Sequence, residues 1–224
     1  MSRPVDAVFF DLFGTLLSLE PLAAACERLA PGRGHEVAVR WRARQLELSW
    51  LRTAMERWAD FDVVTLDALH ATLTEFGLAA DANVTSDVAG TFAKLPVRDG
   101  VSAALRALRD AGLVSGVLTN ASASTLELVL ARTGLDIDHA LSVDPVNRFK
   151  PHRWVYDLAV KATSLTASRI GFVTSNGWDA AGAGAFGFRV AWLRTDSGAF
   201  LPPVGAPEPI IATWVDVPSL FLGG

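Results

Sequence analysis

Residues 7–16 read Ala7-Val8-Phe9-Phe10-Asp11-Leu12-Phe13-Gly14-Thr15-Leu16, an apolar run that stops at a carboxylate and meets a glycine three residues later. Four apolar residues in a row describe a short strand buried on both faces, as a central strand of a parallel sheet must be. Asp11 then falls at the C-terminal end of that strand, and a turn through Gly14 can gather backbone N–H groups around an anion. Open α/β sheets bind ligands in the crevice beyond the C-terminal ends of their strands, so one decamer suggests both a fold and a place for chemistry.

Further strands are expected from Leu113 to Thr119, Ile170 to Thr174 and Arg189 to Leu193, with helices around Val101 to Ala111, Ser124 to Arg132, Val155 to Ala162 and Ala180 to Phe186. That alternation predicts an α/β fold with a doubly wound parallel sheet. Residues from about Glu20 to Ala93 interrupt it with helical stretches and no convincing strand. They are expected to form an inserted helical cap, residues 20–93, on a core made of residues 1–19 and 94–224. Within the cap, Glu36 to Met55 carries two apolar stripes, Val39, Leu46 and Trp50 on one side and Val37, Trp41, Leu48 and Met55 on the other. A helix apolar on two sides has two surfaces to bury, so one is expected against the sheet and the other in a homodimer.

The 224 residues are half hydrophobic, enough for one sizeable core that excludes water from a cleft. The net charge of −4 and the lack of a basic cluster interleaved with aromatics argue against a nucleic-acid partner. Asp6 and Asp11 break the N-terminal apolar run, which matches neither a signal segment nor the roughly 20 apolar residues of a membrane span. A protein without membrane contact is expected. Cys26 is the single cysteine, which rules out an internal disulfide and a cysteine-built zinc site and fits a reducing cytoplasm. The four histidines share no metal-ligand spacing, and no metal or other cofactor is expected.

Four segments bring reactive side chains to predicted strand ends or the loops beside them. Phe10 to Leu16 supplies Asp11, Thr15 and the backbone around Leu12 and Phe13; Leu118 to Ser122 supplies Thr119 and Asn120. Phe149 to Pro151 holds Lys150, one of three lysines in the chain, and Thr174 to Asp179 adds Ser175, Asn176, Trp178 and a second carboxylate.

This order of Asp, Thr, Lys and Asp motifs resembles the haloacid dehalogenase superfamily over essentially the whole chain. The resemblance implies a Rossmann-like core with a helical cap, Asp11 as covalent nucleophile, and Lys150 as the cation that keeps two carboxylates ionised side by side. Most members are magnesium-dependent phosphotransferases, and the sequence departs from them twice. Phe13 stands where their general-acid Asp would be, and Ser175 where a carboxylate would help bind the metal. A phenyl ring has no proton to give, and a neutral hydroxyl serves a hard cation poorly.

The stretch Val39 to Arg52 (VRWRARQLELSWLR), the stretch Leu141 to Pro151 (LSVDPVNRFKP) and Tyr156 resemble the L-2-haloacid dehalogenases in particular. That likeness implies that Arg42 and Asn120 receive a departing halide, which leaves without a proton and needs only hydrogen bonds to its growing charge. It also implies that Thr119 and N–H groups near Leu12 hold the substrate carboxylate, while Leu46, Phe61 and Trp178 wall the short carbon chain. Phe13, Thr15, Tyr156, Thr174, Ser175 and Asn176 complete the expected lining. Arg40, Arg44 and Arg52, on the same helix as Arg42, read as solvated charges. The expected reaction converts a small (S)-2-haloacid into the (R)-2-hydroxy acid and halide through an ester on Asp11, with Asp179 as base for the water. Tyr is common in that group at Phe13, Ser at Thr119 and Thr174, and Gln at Ala43, so a changed preference for substrate size is expected. A magnesium-dependent phosphatase and a non-catalytic binding protein of the same fold remain open at this point.

Overall fold

The computed structural model describes residues 4–193, 210–211 and 213–223. Strand β1 (Ala7–Phe10) is followed by four helices, α1 (Pro21–Glu27), α2 (Gly34–Ala54), α3 (Phe61–Glu75) and α4 (Ala82–Ala89). Alternation then sets in: α5 (Val101–Asp110), β2 (Val114–Thr119), α6 (Ala123–Thr133), β3 (His139–Ser142), α7 (Arg153–Thr163), β4 (Ile170–Thr174), α8 (Gly177–Phe186), β5 (Arg189–Leu193), β6 (Ile210–Ile211) and α9 (Val217–Leu222).

All described strands pair in parallel, in the order β3-β2-β1-β4-β5-β6. The chain therefore moves from β1 to β2 and β3 on one side, then crosses over to β4 on the other. Right-handed crossovers in opposite directions put their helices on opposite faces of a sheet, which opens a crevice at the reversal between β1 and β4. Every residue of β1 is buried, as an apolar run between two covered faces requires. Register places Phe10 beside both Val117 and Val173, so Asp11 projects just past the same edge as Thr119 and Thr174. The doubly wound sheet and its helical insertion match the sequence expectation.

β3 and β6 were not expected. β3 is an edge strand whose first three residues are half-buried or exposed, so it lacks the apolar run that marks its neighbours, and β6 has only two residues.

Helix α2 corrects the two-stripe expectation. Its buried line runs through Val37, Ala38, Trp41, Gln45 and Ser49, whereas Val39 and Met55 are 58% and 59% exposed, so neither apolar stripe is covered as a unit. Gln45 and Ser49 lie inward because their polar groups are satisfied there, by Thr65 and by the Leu46 carbonyl. A count of apolar residues alone misses that phase.

α2 packs on α1 and α3, and α3 on α4. Several bonds join this helical layer to the sheet. Asp62 at the start of α3 accepts from the hydroxyls of Ser122, which caps α6, and of Thr125 in its first turn, at 2.6 and 3.0 Å, and Thr53 of α2 accepts from the Phe149 N–H at 3.0 Å. Among the described residues, no helix is long and apolar enough to cross a membrane.

Candidate active site

Asp11 ends β1, with its backbone N–H still bonded to the Val173 carbonyl of β4 at 3.0 Å. The chain then turns through Gly14 at a φ of +87°, a left-handed conformation that glycine adopts without strain. This turn brings Thr15 back over the carboxylate. The Thr15 hydroxyl donates to Asp11 Oδ2 at 2.9 Å and accepts from the Ser175 N–H at 2.9 Å, tying the first loop to the end of β4. Asn176 stands at the N-terminal end of α8 but does not cap it; its Nδ2 donates to Asp11 Oδ2 at 2.7 Å.

Lys150 is fully buried and joins the two carboxylates. Its Nζ donates to Asp11 Oδ1 at 3.0 Å and to Asp179 Oδ2 at 2.8 Å. Burial by itself would depress the ammonium; the two adjacent negative charges outweigh it and hold Lys150 above its ordinary value. Asp179, fully buried in the first turn of α8, is pushed up to about 6 by burial, against the opposing pull of Lys150. The Tyr156 hydroxyl donates to Asp179 Oδ1 at 2.8 Å, and burial together with the neighbouring carboxylate raises that phenol well above its usual range.

Asn120, at the end of β2, accepts from the Lys150 N–H at 2.9 Å. With its oxygen so committed, its amide N–H groups are what it has to offer a ligand. Thr119 and Thr174 are buried, and each hydroxyl accepts from the backbone two residues on, at Ala121 and Asn176. The Ser175 hydroxyl is buried and has no hydrogen-bond partner among the described residues.

The helical layer supplies Arg42. Arg40 and Arg44 both bind Glu75, Arg44 also binds Glu47, and Arg52 binds Asp67. Arg42 instead donates to the neutral Gln45, while burial pulls its guanidinium below the ordinary value and the charges of Asp11 and Asp179 push back. It therefore lies in the field of both carboxylates. Leu46 follows one turn later and is half-buried. Trp178, also half-buried, meets Trp50 edge to face at 5.7 Å. Phe61 is only 2% exposed; it stacks on Phe13 at 6.4 Å and tilts against Phe149 at 5.6 Å, so it backs the site through those rings. The Phe13 ring, 3% exposed, also meets Phe92 edge to face. Leu12 is fully buried.

Sequence reasoning gave Gln45, Thr65 and Trp50 no place in the site. Gln45 lies three residues after Arg42, a spacing that makes helix neighbours, and this was the available signal.

The donor set does not suit a hard dication, which needs several oxygen ligands. Both oxygens of Asp11 are taken by N–H or O–H donors, Phe13 has no side-chain ligand atom, and Lys150 already neutralises the space between the carboxylates. Among the described residues, no three His, Cys, Asp or Glu side chains gather at a point. What the arrangement can do is hold the Asp11 carboxylate by three donors, beside a second carboxylate able to accept a proton near neutral pH, with the positive charges of Lys150 and Arg42 there to draw in an anion.

Residues 5–187 match the model of the haloacid dehalogenase-like hydrolases. The chain is 39% identical over 219 residues to the (S)-2-haloacid dehalogenase of Pseudomonas sp. (strain YL), covering 97% of this chain and 94% of that protein. It is similar to the L-2-haloacid dehalogenase structure from Xanthobacter autotrophicus at a TM-score of 0.89 and 34% identity, covering 98% of this chain and 99% of the other. A second structure of that enzyme, with chloropropionic acid covalently bound, superposes equally well, with the same TM-score, identity and coverage. The chain belongs to the haloacid dehalogenase-like hydrolase family and, within it, to the group of the L-2-haloacid dehalogenases.

Proposed function

We propose that this protein hydrolyses short (S)-2-haloacids to (R)-2-hydroxy acids and halide through an ester on Asp11. The observation that carries the reading is the Asp11–Lys150–Asp179 bridge with Arg42 in the field of both carboxylates, in a chain whose close relatives are dehalogenases. The covalently bound chloropropionic acid of the Xanthobacter enzyme supports the ester.

In this reading one Asp11 oxygen attacks C2 from the side opposite the halogen, the carbon–halogen bond breaks, and the electron pair leaves with the halide. Arg42 and the Asn120 amide receive the anion as its charge grows. Thr119 and the N–H groups around Leu12 hold the substrate carboxylate, with Thr174 and Ser175 beside them. Leu46, Trp178 and the backing ring of Phe61 enclose the carbon chain. Water then attacks the Asp11 ester carbonyl and gives a proton to Asp179, whose raised value suits a base working near neutrality. Cleavage between that carbonyl and the ester oxygen, with Asp179 returning the proton to the departing oxygen, releases the inverted alcohol. Lys150 and Tyr156 hold Asp179, and Thr15 and Asn176 hold Asp11, so that neither carboxylate swings between the steps.

The proposal extends to the boundaries of the cap, residues 20–93, to a cytoplasmic location suited to the lone buried thiol of Cys26, and to a homodimer. Exposed Val39 and Leu51 on α2 and Met55 just past its end support the dimer, and light scattering at micromolar concentration tests it.

The central test is a single turnover in heavy-oxygen water with 2-chloropropanoate and a chelator. Chloride should be released, one enantiomer consumed, and the isotope found in Asp11 rather than in the first alcohol. Isotope in the product with Asp11 unlabelled would refute the ester. Phosphate release from phosphoesters only with magnesium would move the chain to the other branch of its superfamily.

A further inference from the structure

Arg42 is held differently from the three other arginines between Arg40 and Arg52. Those end on carboxylates; Arg42 Nη1 donates to the amide oxygen of Gln45, which is fully buried. Gln45 Nε2 in turn donates to the Thr65 hydroxyl of α3, and that hydroxyl donates to the Phe61 carbonyl at 2.6 Å. The indole of Trp41 pins the same turn of α3 by donating to the Thr65 carbonyl at 2.9 Å.

The chain of bonds has one direction. A carbonyl only accepts, so the single Thr65 proton goes to Phe61 and the hydroxyl turns a lone pair toward Gln45. The amide must then give its N–H to Thr65 and its oxygen to Arg42, which has only donors to offer. Each member fixes the orientation of the next. The chemical identity of the last acceptor matters as much as its position. A carboxylate at position 45 would hold the guanidinium equally firmly but cancel its charge, while an apolar side chain would leave it free to rotate.

We infer that Gln45, braced by Thr65, is a positioning residue for Arg42: it aims the guanidinium toward the Asp11–Asp179 pair while leaving the positive charge available to a departing anion. The inference rests on the dehalogenase reading. Its consequence falls on one step only. Halide leaves while the Asp11 ester forms, so a misaimed Arg42 slows ester formation and leaves ester hydrolysis untouched. The penalty is larger for chloride than for bromide, because the poorer leaving group needs more help with its charge.

The test compares wild type with Gln45→Met, Gln45→Glu and Thr65→Val. Ester formation is followed in single turnovers of 2-chloro- and 2-bromopropanoate, and bromide binding to the resting protein is followed by titration calorimetry. Gln45→Met should slow ester formation roughly 10- to 100-fold, more for chloride than for bromide, with weakened bromide binding and little change in KM. Gln45→Glu keeps the contact to Arg42 but gives up the one to Thr65, so it should melt lower than wild type and lose most of its bromide affinity. Thr65→Val, which frees the amide to turn over, should fall between wild type and Gln45→Met, and it carries the test if Gln45→Met does not fold. An unchanged chloride-to-bromide rate ratio together with wild-type bromide affinity in the variants would overturn the inference. If the wild type releases no halide from any 2-haloacid, the dehalogenase reading fails; bromide titration still judges Gln45, and equal affinities across the set would refute its role separately.

Discussion

The Tyr156 hydroxyl donates to Asp179 Oδ1 at 2.8 Å, with both residues fully buried. Burial is the larger influence on that carboxyl and brings it to about 6, while the bond from Tyr156 opposes the rise. Below that value Asp179 carries a proton and cannot take one from water, so turnover should fall as pH drops through about 6. Tyr156→Phe removes a donor that favours the ionised form, so the acid limb of the pH–rate profile should move toward neutrality. A limb that stays in place would separate Tyr156 from the ionisation of Asp179.

The same shift has a sign in stability. The folded value of Asp179 lies above its ordinary 3.8, so the folded state binds more protons between about 4 and 6 and loses stability as pH rises across that window. Asp179→Asn should flatten this part of the curve, as urea unfolding at several pH values would reveal.

Gly182 of α8 makes room for Tyr156. A Cβ there would lie 2.5 Å from the Tyr156 hydroxyl oxygen and 2.5 Å from Pro151 Cβ, inside any tolerable contact. Gly182→Ala is expected to cost about 1–3 kcal/mol through overpacking. It should also move the acid limb in the same direction as Tyr156→Phe; a thermal shift without a change in that limb would make the close approach purely structural.

Asp11→Asn and Lys150→Met should part company. The first keeps the shape of the site and should lower halide release on the order of 10⁴-fold or more while leaving a folded protein. The second leaves two buried carboxylates without their cation and should cost about 3–5 kcal/mol of stability besides activity. Denaturant titration alongside chloride release distinguishes them.

Thr119→Ser removes one methyl from a position only 1% exposed beside Asn120. If Thr119 narrows the carboxylate end of the pocket, the substitution should raise turnover of 2-chlorobutanoate relative to 2-chloropropanoate by roughly 10-fold, the scale of one methylene in a hydrophobic pocket. A ratio equal to that of the wild type would place the size filter elsewhere.

The central strands could be read from sequence because burial on both faces leaves an unmixed apolar run, as in Ala7–Phe10 and Ile170–Thr174. Edge strand β3 could not, since His139 and Ala140 remain in contact with solvent and leave no such run. Asp11, Lys150 and Asp179 were visible through the order of their motifs, although nothing in the spacing shows that one ammonium touches both carboxylates. Gln45 was hidden for a different reason. A buried amide interrupts the apolar periodicity of α2 and looks like surface until its partners on α3 are known.

The ring of Phe13, pressed among Phe61 and Phe92, also sets the reaction's direction of travel. Hydroxide departs from a saturated carbon only when something protonates it, and this ring has nothing to lend. Asp11 should therefore not displace the hydroxyl of a lactate-like product at C2, so the protein should neither racemise such products nor exchange their hydroxyl oxygen with solvent, however long the two are left together.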